Sequence, residues 1–312
     1  MDVLINVVVP VFGIILTGYL AGHLEVLGSD SAAALNRFVF YFALPPALFI
    51  FMARAPIDKI FNWPFIGAFI GGSMLTLMIA LFVARIWFRH DLATMSVAGL
   101  AAVFGNVFYM GLPLLLTAYG PDGALPSIVA ALSVTILFIC GGIAVLEGTR
   151  ATGASTSRVG ARLAGTVLRN PLVISPLLGI LFAMTSLPLP KAIGNYLDLM
   201  AAAVGPGALF ALGLSLIDRK LMGNAGEVVW LSALKLIANP ILTFGLVTYV
   251  FRMDPMWSQA AVILSAMPVG ANPYIIAQQY NVHVETVSPA IVFSTGMSVF
   301  TVSFLLIWLG VG

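Results

Sequence analysis

The chain has 312 residues, 61% apolar and 8% charged, with a formal net charge of +2 and a mean hydropathy of +1.07. A soluble domain carries about 25% charged residues, so these values exclude a soluble enzyme and require a protein dissolved in a bilayer. The charge balance offers no basic surface to nucleic acid, and Cys140, the lone cysteine, excludes an intrachain disulfide and reads as a small buried hydrophobe.

Apolar runs between polar punctuation predict ten membrane spans, at 3–20, 32–53, 64–88, 92–118, 125–146, 170–187, 192–217, 228–250, 256–280 and 285–309. Only Asp2 precedes the first run, with neither a basic segment nor a cleavage site, so it reads as a retained span and not a signal peptide. The second span is interrupted at Ala43-Leu44-Pro45-Pro46. Arg37, near its start, is placed for snorkelling or for contact with a lipid phosphate. The fourth reads Gly105-Asn106-Val107-Phe108-Tyr109-Met110-Gly111-Leu112-Pro113. A linker at 149–168, rich in Gly, Ser, Thr and Arg, separates a unit at 1–148 from one at 169–312. The seventh span carries Asp198 near its outer end and an interruption at Val204-Gly205-Pro206-Gly207. The eighth carries Lys235 four residues before Asn239-Pro240. The ninth reads Ala266-Met267-Pro268-Val269-Gly270-Ala271-Asn272-Pro273, followed by Gln278 and Gln279. His23, His90 and His283 lie near span ends and share no ligand spacing, so no metal site and no cofactor is expected.

Lys and Arg counts in alternate loops set the orientation. One side holds Arg54, Lys59, Lys191 and Arg252. The other holds Arg85, Arg89, Arg150, Arg158, Arg162, Arg169, Arg219 and Lys220, which makes it cytoplasmic and puts both termini outside.

A shift of 161 residues carries Pro10 onto Pro171, Ala47-Leu48-Phe49 onto Ala208-Leu209-Phe210, Tyr119 onto Tyr280, and the first break onto the second. Five spans per copy force the copies to cross in opposite senses, an inverted repeat suited to alternating access.

Proline in mid-membrane removes a donor and clashes with the preceding turn. The freed backbone groups survive only where protein or a watery cavity covers them. If the fourth and ninth spans cross at their breaks, two helix N-termini converge, and their partial positive charge favours a carboxylate. Asn106 and Asn272 add amides able to donate to its oxygens, or they satisfy the freed backbone. Gln278 is a further candidate. Ser73, Ser133, Thr135, Ser265 and Ser294 read more readily as helix glue. Lys235 either serves an anion, offsets carbonyl dipoles, titrates during coupling, or snorkels to the interface. Asp198 binds a cation or proton, or is an interfacial carboxylate. No acidic residue stands at either break, which disfavours a cation pump.

Asn106 with Met110-Gly111-Leu112-Pro113, Pro268-x-Gly270-x-x-Pro273 leading into Ala277-Gln278-Gln279-Tyr280-Asn281, and Asn36-Arg37-Phe38 before Ala43-Leu44-Pro45 resemble the auxin efflux carrier family. The resemblance spans essentially the whole chain. It implies an all-α membrane fold of the NhaA type, with ten helices in two inverted repeats and spans four and nine crossed at their breaks. Spans 1, 2, 6 and 7 would form a scaffold that dimerises; spans 3–5 and 8–10 would move as an elevator. It further implies that Asn106, Met110, Gly111 and Pro113, with Pro268, Gly270, Asn272 and Pro273, hold the substrate, and that the region of Pro45 closes the pocket. The chain departs from some members in lacking Asp, Glu and Lys over 64–84.

The expected function is secondary transport of a small organic anion, a mono- or dicarboxylate of malonate or auxin type, across a bacterial inner membrane. Coupling to H+ or Na+ is left open. The alternatives are a sodium-coupled symporter of the bile-acid type and a membrane sensor that does not transport. No nucleophile–base pair or ligand set points to an enzyme.

Overall fold

The computed structural model describes residues 4–150, 165, 169–217 and 224–311. Most of the expected linker at 149–168, with Arg158 and Arg162, and the loop bearing Arg219 and Lys220 lie outside the described residues. The chain is an all-α membrane protein. In chain order the helices are α1 (Ile5–His23) and α2 (Asp30–Arg54), α3 (Trp63–Ile86), α4 (Leu92–Val103), α5 (Leu112–Tyr119), α6 (Ala124–Val134) and α7 (Cys140–Arg150). Then come α8 (Pro171–Met184), α9 (Lys191–Leu214) and α10 (Ala225–Tyr249), α11 (Pro255–Ser265), α12 (Asn272–Tyr280) and α13 (Val284–Trp308).

Among the described residues, seven helical stretches are long and apolar enough to cross a membrane; α4 and α8 are shorter apolar helices. Phe82, Leu181, Phe300 and Phe304 are exposed along helix shafts, and Trp63, Trp87, Tyr249 and Trp308 near helix ends. That is the pattern of a lipid-facing surface with aromatic residues at the interfaces.

Proline shapes these helices locally. Wide π turns at Leu4–Val8, Val39–Ala43, Val107–Gly111 and Leu234–Ala238 each end two residues before Pro10, Pro45, Pro113 or Pro240. A π turn loosens the ladder just where the proline ring has no N–H to give and crowds the preceding carbonyl. This corrects one expectation. The second span is not interrupted at Pro45, because α2 continues through its π turn; the seventh passes Ala203 in right-handed backbone and stays helical. Among the described residues, only the fourth and ninth spans are parted by non-helical residues.

Two apolar cores form. The smaller joins α2, α8 and α9 through Val39, Leu48, Met52, Leu172, Val204 and Ala208; the larger lies among α3, α4, α6, α10, α11 and α13. Extensive contacts link α1 with the second half of α9, and α8 with the second half of α2. Backbone meets backbone where α1 crosses α9: a Cβ on Gly213 would lie 1.9 Å from the Ile15 carbonyl oxygen and 2.9 Å from the Tyr19 nitrogen. Small residues permit such approaches in membranes. Gly213→Ala is therefore expected to destabilise by about 1–3 kcal/mol, the usual cost of overpacking. Gly13→Ala, with nothing within 4 Å of its new methyl, should leave stability within roughly 0.5 kcal/mol. Thermal unfolding in detergent measures both.

Candidate functional site

Helix α4 stops because Phe104 turns extended (φ −81°, ψ 98°), and α11 stops at Ala266. The two breaks cross antiparallel, with Gly105 bridged to Val269. The Asn106 N–H donates to the Pro268 carbonyl at 2.8 Å, and the Gly270 N–H to the Phe104 carbonyl at 2.9 Å. The Ser294 hydroxyl of α13 accepts from the Val269 N–H at 3.1 Å. Gly270 is required by proximity, since a Cβ there would meet Phe104 Cδ1 at 2.9 Å and the Gly105 carbonyl at 3.1 Å.

These bonds consume the polar groups that the breaks release, and they do so unevenly. Carbonyls at the ends of α4 and α11 are covered. The Ser265 carbonyl accepts from the Lys235 ammonium and from the Asn239 amide at 3.2 Å, while Thr76 donates to the Asn239 oxygen at 3.3 Å. Lys235 is 1% exposed and lies against Gly105, whose Cβ position would be 3.1 Å from Nζ. It does not snorkel to the interface; burial beside helix-end carbonyls holds it in place. The N-terminal ends are treated differently. Neither the segment after Asn106 nor α12 has a side-chain cap. The Val107 N–H turns back onto the Gly105 carbonyl at 2.9 Å, and the partial positive charge of each helix start is left without a carboxylate or amide oxygen capping it.

Those N-termini face a cavity of about 530 Å³ lined by residues that include Arg37, Phe40, Gly105, Asn106, Tyr109, Asn170, Ser215, Gly270, Asn272 and Tyr274. Among the described lining residues Arg37 is the ionised side chain and none is a carboxylate. Aromatic faces with a few amides, hydroxyls and one guanidinium suit a small anion with an apolar body. A smaller space of about 160 Å³ adjoins it, sharing Thr135, Asn170, Asn272 and Ile275 and adding Gln279.

Of the residues expected at the site, Asn106, Gly270 and Asn272 line the cavity. Met110, Gly111, Pro113, Pro268 and Pro273 are buried behind it and shape the break; Pro113 borders a separate cavity of about 400 Å³ that also touches Pro10, Asp198 and Pro206. Pro45 lies outside the lining, to which the same helix sends Phe40 and Tyr41 instead. Gln278 is exposed and reaches the cavity only by donating to the Tyr274 hydroxyl at 2.7 Å. Asp198 pairs with Arg54 at 2.7 Å, both about half exposed. Arg37, expected to snorkel or to meet a lipid phosphate, is exposed and also lines the cavity, onto whose wall α2 carries it. Asn170, Tyr109 and Tyr274 went unnoticed, although Asn36-Arg37 stood in a motif and Asn170 is a helix cap (Leu172 N–H at 3.0 Å). His90 and His283 both meet Glu227, away from this cavity, while His23 stacks on Tyr19.

The membrane transport protein family matches the chain over residues 3–306. A protein of Rhizobium meliloti (strain 1021) named "Putative malonate transporter" is 29% identical over 301 residues, covering 96% of this chain and 94% of that one. Uncharacterized transporter YfdV of Escherichia coli (strain K12) is 27% identical, covering 89% and 88%. Auxin efflux carrier component 8 of Arabidopsis thaliana is 23% identical, covering 93% and 92%. The chain thus belongs to the membrane transport protein family, the auxin efflux carrier family whose broken-helix motifs it carries, and is a membrane transporter.

Proposed function

We propose that the protein is a secondary transporter of a small organic anion, a mono- or dicarboxylate, working by elevator-type alternating access in a bacterial inner membrane. The observation that carries this reading is the asymmetry at the crossing. Carbonyl ends are covered by backbone bonds, Lys235 and Asn239, whereas uncapped N-termini, two Asn amides and Arg37 face the cavity. Such an arrangement stabilises negative charge and leaves the covered carbonyls poorly placed to ligate a sodium ion. The names of the relatives from Rhizobium and Arabidopsis agree with a carboxylate cargo.

The helix bounds support two inverted five-span repeats, 1–148 and 169–312. A shift of 161 residues brings α3 near α10, α4 near α11, α5 onto α12 and the α1 register onto α8. Helices α1, α2, α8 and α9 are then the scaffold and the other helices the moving domain. Both apolar cores reach across the division: Val11 and Ile15 of α1 pack in the larger core, and Leu112 and Ile128 in the smaller. Arg37, Asn170 and Ser215 line the cavity from helix ends on the side that the Arg excess marks as cytoplasmic, which supports a cavity facing that side. A homodimer through the scaffold fits this division.

Proteoliposomes separate this reading from sodium symport. Uptake of labelled malonate or another small carboxylate is expected in sodium-free buffer, driven by an imposed pH gradient or by counterflow. Uptake that appears only with a sodium gradient, or no uptake of any carboxylate tested, defeats the proposal.

A further inference from the structure

Outside the cavity, three helix ends converge on one buried carboxylate. Glu227, in the first turn of α10, is 2% exposed. Its Oε1 accepts from His90 Nε2 at 2.8 Å and from His283 Nε2 at 2.9 Å. The two imidazoles meet edge to face, with centroids 5.0 Å apart. His90 precedes α4 and stacks on Phe88. His283 precedes α13 and is held at φ +59°, following Asn281 at φ +53°. Two left-handed residues in one short turn are uncommon outside glycine. Here they aim the imidazole at Glu227. Asn224 fixes the carboxylate's helix by accepting from the Gly226 and Glu227 N–H groups.

We propose that His90, Glu227 and His283 form a binding site for a divalent transition-metal ion of the zinc class. The three ligand atoms lie within 4.8 Å of one another. Around a tetrahedral ion with bonds of roughly 2.0–2.2 Å, neighbouring ligand atoms stand about 3.3 Å apart. Small ring rotations therefore open the cluster enough to admit the ion. Each neutral imidazole offers its Nε2 lone pair once the ring proton sits on Nδ1, and water completes the coordination. Two nitrogens and one carboxylate oxygen suit zinc and its neighbours, not calcium or magnesium, which prefer all-oxygen shells.

The location gives the ion a role. Helix α4 leads into Gly105, α10 carries Lys235, and α13 supplies Ser294 to the second break. An ion tying the ends of these three helices fixes the frame of the crossing. None of the three residues is among those lining the cavity, so this inference does not depend on the substrate.

The test uses the untagged full chain in detergent, first treated with chelator and then titrated with Zn2+. One tightly bound Zn2+ per chain and a raised unfolding temperature are expected. Co2+ in its place should give the visible ligand-field bands of a four- or five-coordinate ion. His90→Ala and His283→Ala should each weaken Zn2+ affinity by at least the ~10–100-fold typical of disturbing a metal's supporting shell. Substoichiometric zinc with no such Co2+ spectrum in the unchanged chain overturns the proposal. So does equal affinity in both variants. The unchanged chain decides even if a variant fails to fold.

Discussion

Alanine at both Asn106 and Asn272 is expected to abolish measurable carboxylate binding while leaving the protein folded. The two amides line the cavity, and neither caps the helix that follows it. The crossing is held by backbone bonds between Asn106 and Pro268 and between Gly270 and Phe104, which alanine leaves intact. Stability should thus change little, whereas each lost bond to a charged ligand is worth about 1.5–3 kcal/mol, or roughly 10–150-fold in affinity. Both changes together should weaken binding by roughly 100- to 20,000-fold. Calorimetric titration with small carboxylates, beside thermal unfolding of the same samples, makes the comparison. Unchanged affinity in the double variant would sink the assignment of the site.

Lys235→Met is expected to separate transport from stability in another way. Methionine retains most of the buried chain but removes the ammonium that bonds the Ser265 carbonyl. The carbonyl keeps its bond from Asn239 at 3.2 Å, and relief from burying a charge offsets part of the lost interaction. The net change in stability is expected to stay within about 1–2 kcal/mol. The effect on the anion is larger. The ammonium lies against Gly105, which lines the cavity, and a unit charge about 7 Å from a carboxylate at an effective dielectric near 20 contributes roughly 2 kcal/mol. Uptake or affinity should fall by at least ~10-fold. Lys235→Arg should not restore it, because the bulkier guanidinium has no room beside Gly105. Wild-type uptake by the methionine variant would reduce Lys235 to a packing residue.

Legibility differed between residues for a physical reason. The breaks at Gly105–Pro113 and Ala266–Pro273 were readable because Gly, Asn and Pro clustered in an apolar run weaken the helix ladder at several successive residues. The same letters misled at Pro45 and Pro206, where a π turn or a slight bend absorbs the proline without breaking the span. Sequence also could not distinguish a lysine that snorkels from one that caps a carbonyl across the protein, since both look like one cation in an apolar run.

Arg37 was visible as a charge at a helix start, but only the packing of α2 against the crossing makes it a cavity residue. His90, Glu227 and His283 are separated by 137 and 56 residues, so no local spacing could announce them. By itself the sequence determined the bilayer as solvent and the two places where helices part, because hydropathy and backbone hydrogen bonding act locally. The tertiary structure alone decided which freed groups find partners across the crossing and which remain for a ligand. Pairing between elements distant along the chain depends on their approach in space, and that approach leaves no mark on residue order.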